Sequence, residues 1–198
     1  MKKIMLSLLL LLAVCAIARA EEGAKAQKRE YRYGKRGYFG TARVSYIRWS
    51  EIPKHVPAIS AEVINGYSFN PWFMLGGGVG ATYTMYPASM TSVNEPKGAL
   101  RVPFYLHLRS NILDRRVSPF VAANLGGGFC KGYIPSSNFF GFEPEQLNGF
   151  YGFYYAELQL GAAVRLKNGK MVDFGVSLPL DFGDGVNGGG KFSLGFTW

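Results

Sequence analysis

Two cysteines, Cys15 and Cys130, and two histidines, His55 and His107, are all that 198 residues hold of either type. That scarcity excludes a disulfide scaffold and leaves no Cys/His spacing suited to a metal site. A mean hydropathy near zero excludes several membrane helices, and helix-forming runs of Ala, Leu, Glu and Lys are scarce after residue 20. What the chain does have is 26 Gly, 12 Tyr and 15 Phe, with a formal net charge of +9. Aromatic residues favour strands. Strands that alternate apolar with polar residues also average to neutral hydropathy.

The first twenty residues read as an export signal. Lys2 and Lys3 form a basic start, residues 4–17 are almost unbroken apolar, and Ala18-Arg19-Ala20 supplies small residues at a cleavage site. The apolar run is too short for a spanning helix. Cys15 as a lipidated cysteine is disfavoured because Val14 stands where a small residue is expected. Cleavage leaves 178 residues, one domain, and lowers the net charge to +6 with the loss of Lys2, Lys3 and Arg19. Cys130 is then alone. Exported proteins seldom meet nucleic acid, so the expected partners are outer-membrane lipids or lipopolysaccharide. Residues 21–36 carry six basic side chains without apolar periodicity and read as a solvated periplasmic lead segment.

From residue 37 to 198 the sequence falls into eight strand-like stretches, near 38–49, 58–69, 72–86, 99–113, 117–129, 154–166, 171–180 and 191–198. In 99–113, Leu100, Val102, Phe104, Leu106 and Leu108 share one parity, and Arg101, Tyr105, His107 and Arg109 share the other. Period two over ten or more residues is the signature of a strand with one apolar face, long enough to cross a bilayer on a tilt. The links near Asn70-Pro71, 114–116 and 167–169 are short, with Asn168-Gly169 a hairpin signal. Those near 51–57, 87–98, 130–150 and 181–190 are longer. Outer-membrane barrels show this rhythm, with short periplasmic turns and longer outside loops.

Alternation alone does not say which face is inside. The apolar face is nearly uninterrupted, whereas the other carries Arg43, Glu62, Arg101, His107, Arg109, Glu157, Arg165, Asp173 and Lys191. A basic residue facing mid-membrane lipid costs roughly 2–4 kcal/mol. The expectation is therefore an all-β, eight-stranded antiparallel up-and-down transmembrane β-barrel with these nine residues lining its lumen. Tyr46, Trp49, Tyr67, Phe69, Trp72, Tyr86 and Trp198, near strand ends, suit the membrane interfaces.

The passages AEVINGYSFNPWFMLGGGVGA (61–81) and RVPFYLHLRSNILDRRVSPFVAANLGGG (101–128) resemble the strand-turn-strand pattern of the small outer-membrane β-barrel family of the OmpA/OmpX type, in particular the porin-family versions of Bacteroidota. The terminal FSLGFTW, with Phe192, Leu194, Phe196 and Trp198 on one parity, is similar to that family's C-terminal assembly signal. The resemblance implies handling by periplasmic chaperones and the barrel-assembly machinery. The family hosts adhesins, passive barrels, small channels and a few lipid-modifying enzymes, and no peptidoglycan-binding domain follows in this sequence.

Motifs for chemistry are few. The glycine runs at 76–80 and 126–128 lack the helix and the Lys-Ser/Thr of a phosphate loop, so they are expected to make room for curvature or for large lumenal neighbours. His107 and Ser110 lie on opposite parities of one strand, which separates them as a catalytic pair. No enzyme activity and no cofactor or metal is expected. In a barrel of eight strands side chains fill the interior, so the lumenal charges read as a salt-bridged plug. The expected function is a structural or surface-interaction scaffold presenting extracellular loops to an unknown surface ligand. Tyr133, Phe139, Phe140 and Phe142 in the longest loop are the binding candidates. The alternative is a small channel, anion-biased by a basic surplus inside, with a lipid-modifying enzyme a more distant one.

Overall fold

The computed structural model describes residues 36–51, 54–88, 97–133, 146–166, 169–182 and 186–198. The export signal, nearly all of the lead segment and Phe139, Phe140 and Phe142 lie outside the described residues; of Tyr133 only the backbone is described. Eight strands follow one another: β1 Gly37–Glu51, β2 Lys54–Ser68, β3 Phe73–Tyr86, β4 Lys97–Asn111, β5 Val117–Tyr133, β6 Gln146–Arg165, β7 Met171–Phe182 and β8 Val186–Thr197. Each pairs antiparallel with the next, and β8 returns to β1 through Thr41↔Thr197 to Trp49↔Gly189, so the sheet closes. Gly40 and Trp198 exchange backbone hydrogen bonds of 3.1 and 2.9 Å at the seam. Closure gives every one of these strands two hydrogen-bonded neighbours, the condition for a sheet in hydrocarbon.

The strands form where the sequence alternates, and the alternation is inside-out. Val44, Ile59, Val79, Leu106, Leu125, Leu158, Val176 and Leu194 are exposed on the outer wall, while Arg43, Glu62, His107, Arg109, Gln159 and Asp173 are buried within. A soluble barrel would reverse this. The outer wall is thus apolar across its middle, and a hydrocarbon surround is the medium in which it is stable.

At the lower end, where β2 meets β3, the Asn70 side chain accepts bonds from the backbone N–H groups of Trp72 and Phe73 at 2.9 and 2.8 Å, which fixes the turn. Between β6 and β7, Gly169 takes φ 82° and its N–H donates to Leu166 O, a conformation that explains glycine there. Tyr38, Tyr67, Phe69 and Phe73 form a contiguous aromatic row at this end, edge-to-face or tilted, with centroids 5.4, 5.2 and 5.8 Å apart in succession.

Three expectations need correcting. The links expected at 51–57 and 181–190 are mostly strand: β1 and β2 pair up to Glu51↔Lys54, and β7 and β8 up to Phe182↔Val186. The short-then-long rhythm therefore holds at the upper end only for residues 87–96 and 134–145. The reason is the packing of Trp49, Val56 and Ala58, which are buried inside the barrel and extend its core upward. Glycine 189 belongs to this packing, since a Cβ there would lie 2.8 Å from Arg48 O and 3.2 Å from the Trp49 ring. The second correction concerns Trp49 and Tyr86, which point into the barrel rather than to an interface; Tyr46, Phe69 and Trp198 do face outward. Third, β5 and β6 run to 17 and 20 residues, well beyond what a crossing needs. A β-bulge between Cys130 and Gly132 interrupts their register near the upper end.

Candidate functional site

All nine charged or histidine residues expected in the lumen are buried there. They come from β1, β2, β4, β6, β7 and β8, each on the inward parity of its strand, and the structure gathers them into three levels.

The middle level is built around two carboxylates. Lys191 Nζ donates to Glu62, and to Glu157 at 3.2 Å. Tyr105 donates its hydroxyl to Glu62 at 2.8 Å, and Arg43 lies 3.8 Å from the same carboxylate. Glu157 accepts from Tyr155 and Ser177, both at 2.5 Å, and from Asn124 Nδ2 at 2.8 Å. With that amide committed, Asn124 Oδ1 faces His107 Nδ1 at 2.7 Å, and the network assigns the imidazole proton to Nδ1. His107 is thus a bonded interior residue, and Ser110 lies on the outward parity of β4. Gly78 makes room for this level, because a Cβ there would fall 2.3 Å from the Tyr105 ring.

Below it, Arg109 Nη1 donates to Asp173 at 3.1 Å and Nε to Asn111 at 3.1 Å, with the guanidinium 3.9 Å over the Phe120 ring. Arg165 closes the lower mouth, donating to Asp114 at 2.7 Å and to Pro71 O at 2.9 Å. Above, Arg101 pairs with Asp181 at 2.9 Å and lies 4.9 Å over the Trp49 ring.

Tyr105 and Asn111, already on the polar parity of the fourth strand, become members of this network. Gln159 and Ser177, on the polar parity of β6 and β7, join it too, whereas the sequence reading does not reach Asp114, Asp181, Asn124 and Tyr155. Parity is the available signal: Asp181 continues the series Asp173, Gly175, Ser177 on β7, although it falls in the stretch expected as the link 181–190. Asp181 and Asp114 change the charge count. Among the described residues, five basic side chains (Arg43, Arg101, Arg109, Arg165, Lys191) now meet five acidic ones (Glu62, Glu157, Asp173, Asp181, Asp114). Among the described residues no basic surplus remains inside, and with it goes their reason for an anion bias.

A buried charge is costly unless paired, and pairing gains enough only when the remaining lone pairs and protons are also bonded. The tyrosines, Asn124 and Ser177 do that for the carboxylates. The arrangement can hold a barrel shut and rigid. Among the described residues no three His, Cys, Asp or Glu side chains form a group that could hold a metal ion.

No family model matches the chain, and no curated protein does. Solved structures do match. Neisserial surface protein A covers 81% of this chain and 96% of its own at 13% identity, with a TM-score of 0.56. Ail, the attachment invasion locus protein of Yersinia pestis, in complex with the heparin analogue sucrose octasulfate, covers 83% and 100% at 14% identity, with a TM-score of 0.50. The fold is that of the small outer-membrane barrels. At these identities the likeness extends to the fold, an eight-stranded closed barrel, and the small outer-membrane barrel fold accounts for both the strand count and the inside-out surface.

On the last strand, Phe192, Leu194, Phe196 and Trp198 all face outward and are exposed. The rings of Phe196 and Trp198 stack at 6.2 Å, and Trp198 covers Gly40 of β1 at the seam.

Proposed function

We propose that the protein is a non-conducting barrel of a bacterial outer membrane, reached through a cleaved export signal, that acts as a scaffold holding its upper hairpins outside the cell. The observation that carries this reading is the interior: five basic and five acidic side chains joined across the lumen by pairs of 2.7–3.8 Å, with hydroxyl and amide groups bonded to the central carboxylates. An ion passing through would have to break several such pairs in succession. β5 and β6 rise furthest and bracket residues 134–145, so this hairpin, with Tyr133, Phe139, Phe140 and Phe142 in or beside it, is the contact region for a surface ligand. In planar bilayers the purified protein is expected to give no discrete conductance steps. Regular steps of reproducible size would overturn the reading in favour of a channel.

The outward aromatic and aliphatic row of β8 supports a role as the signal read by the barrel-assembly machinery. Phe196→Ala with Trp198 deleted is expected to lower the amount in the outer membrane several-fold while refolding in detergent persists. Equal loss in both settings would assign the row to stability alone.

A further inference from the structure

The lower rim carries a second surface, set apart from the lumen. Arg36 precedes β1, Arg115 and Arg116 lie in the β4–β5 turn, and Lys170 lies between β6 and β7; all four are exposed. They occupy three sectors of the rim, and the fourth, the β2–β3 turn, is aromatic with Phe69 and Phe73.

Their placement is fixed by the structure. Arg36 Nε donates to Phe69 O at 3.0 Å, which holds its guanidinium at the edge of the aromatic row. Lys170 Nζ stands 5.7 Å over the Phe196 ring, with an apolar ring on the barrel wall and a charge at its margin. The neighbouring carboxylate does not neutralise the turn arginines. Asp114 faces inward to the buried Arg165, and Arg165 N–H donates to Arg116 O at 2.7 Å, fixing the turn with Arg115 and Arg116 outward. Cations directly below an aromatic girdle sit at the depth of lipid headgroups, where each basic side chain is attracted to anionic lipid.

We infer that this lower rim is a docking surface for the phosphate headgroups of anionic phospholipids in the facing leaflet. The inference rests on the reading of the chain as an outer-membrane barrel. Charge complementarity selects the occupant: the next residues upstream in sequence, 21–35, hold five basic and three acidic residues, so the chain's own lead segment is a poor partner for a cationic rim.

The test uses the full mature chain folded into vesicles of phosphatidylcholine alone or with three parts in ten phosphatidylglycerol, followed by urea unfolding. The wild type is expected to unfold at higher urea in the anionic vesicles, with the difference shrinking in 0.5 M salt. A variant with Arg36, Arg115, Arg116 and Lys170 all changed to Gln should lose most of that difference, and a control with Arg48→Gln and Lys131→Gln at the upper end should keep it. A difference that survives the four substitutions, or follows the control instead, overturns the inference. A wild type that inserts into neither vesicle would count against the barrel's membrane location itself, a separate failure.

Discussion

Asp173 shows what one interior carboxylate does. It is fully buried and pairs with Arg109, itself sealed over Phe120. Asp173→Leu leaves that guanidinium without its counter-charge and is expected to cost about 3–5 kcal/mol. Arg109→Met combined with Asp173→Leu should recover most of the loss, since an apolar pair of similar volume replaces a desolvated ionic one. Urea unfolding of the two variants in detergent micelles measures both; equal destabilisation would show that the two charges are not coupled. At this scale the sequence was readable through parity. Nine interior residues could be named because each sits on the polar parity of its strand, cleanly so in β4, β6, β7 and β8 and less cleanly for Arg43 and Glu62 in β1 and β2. Asp181 keeps the parity of Asp173 and Ser177 but lies one residue past the stretch expected as strand, and Asp114 is an inward-turned side chain in a tight turn, which leaves no periodic mark.

Among the elements, β8 is the most constrained, because it closes the barrel against β1. Its two neighbouring glycines differ. A Cβ at 189 meets Arg48 O and the buried Trp49, whereas one at 190 meets nothing within 4 Å. Gly189→Val is expected to destabilise by roughly 1–3 kcal/mol through overpacking at the seam. Gly190→Val should change stability little, and a lowered unfolding midpoint for the first variant alone is the expected outcome. Glycine-rich sequence at 188–190 looks like a loop, and only the third dimension, a tryptophan of the first strand reaching the last, makes it a strand. Central strands such as β4 and β7 were legible because both faces are well marked; the upper ends were not, because Pro57 and the glycines at 188–190 interrupt the alternation there.

For the whole molecule, closure predicts that unboiled and boiled samples migrate differently on a detergent gel, since in a closed sheet every strand is held by two neighbours and no free strand is left from which unfolding can start. Identical mobility would argue against a closed sheet. Which way the barrel faces followed from the side on which charges cluster. What it binds was not legible, because the aromatics at 139–142 carry no periodic pattern to place them.

With the barrel oriented as proposed, upper end outside the cell, the length of β6 has a consequence for what can touch this protein. A strand tilted by about 40° climbs about 2.5 Å per residue, so roughly ten residues cross the apolar band of about 25 Å. The 20 residues of β6 therefore leave about half its length, some 25 Å, beyond the apolar band. That is a stand-off height. A sugar coat shorter than this leaves residues 134–145 within reach of an antibody, and a taller one hides them, so an epitope inserted between Phe139 and Phe140 is expected to be labelled on intact cells with truncated surface polysaccharide and to fade as the polysaccharide lengthens. Labelling that ignores coat length would mean that β6 does not hold its tip at the height its residues provide.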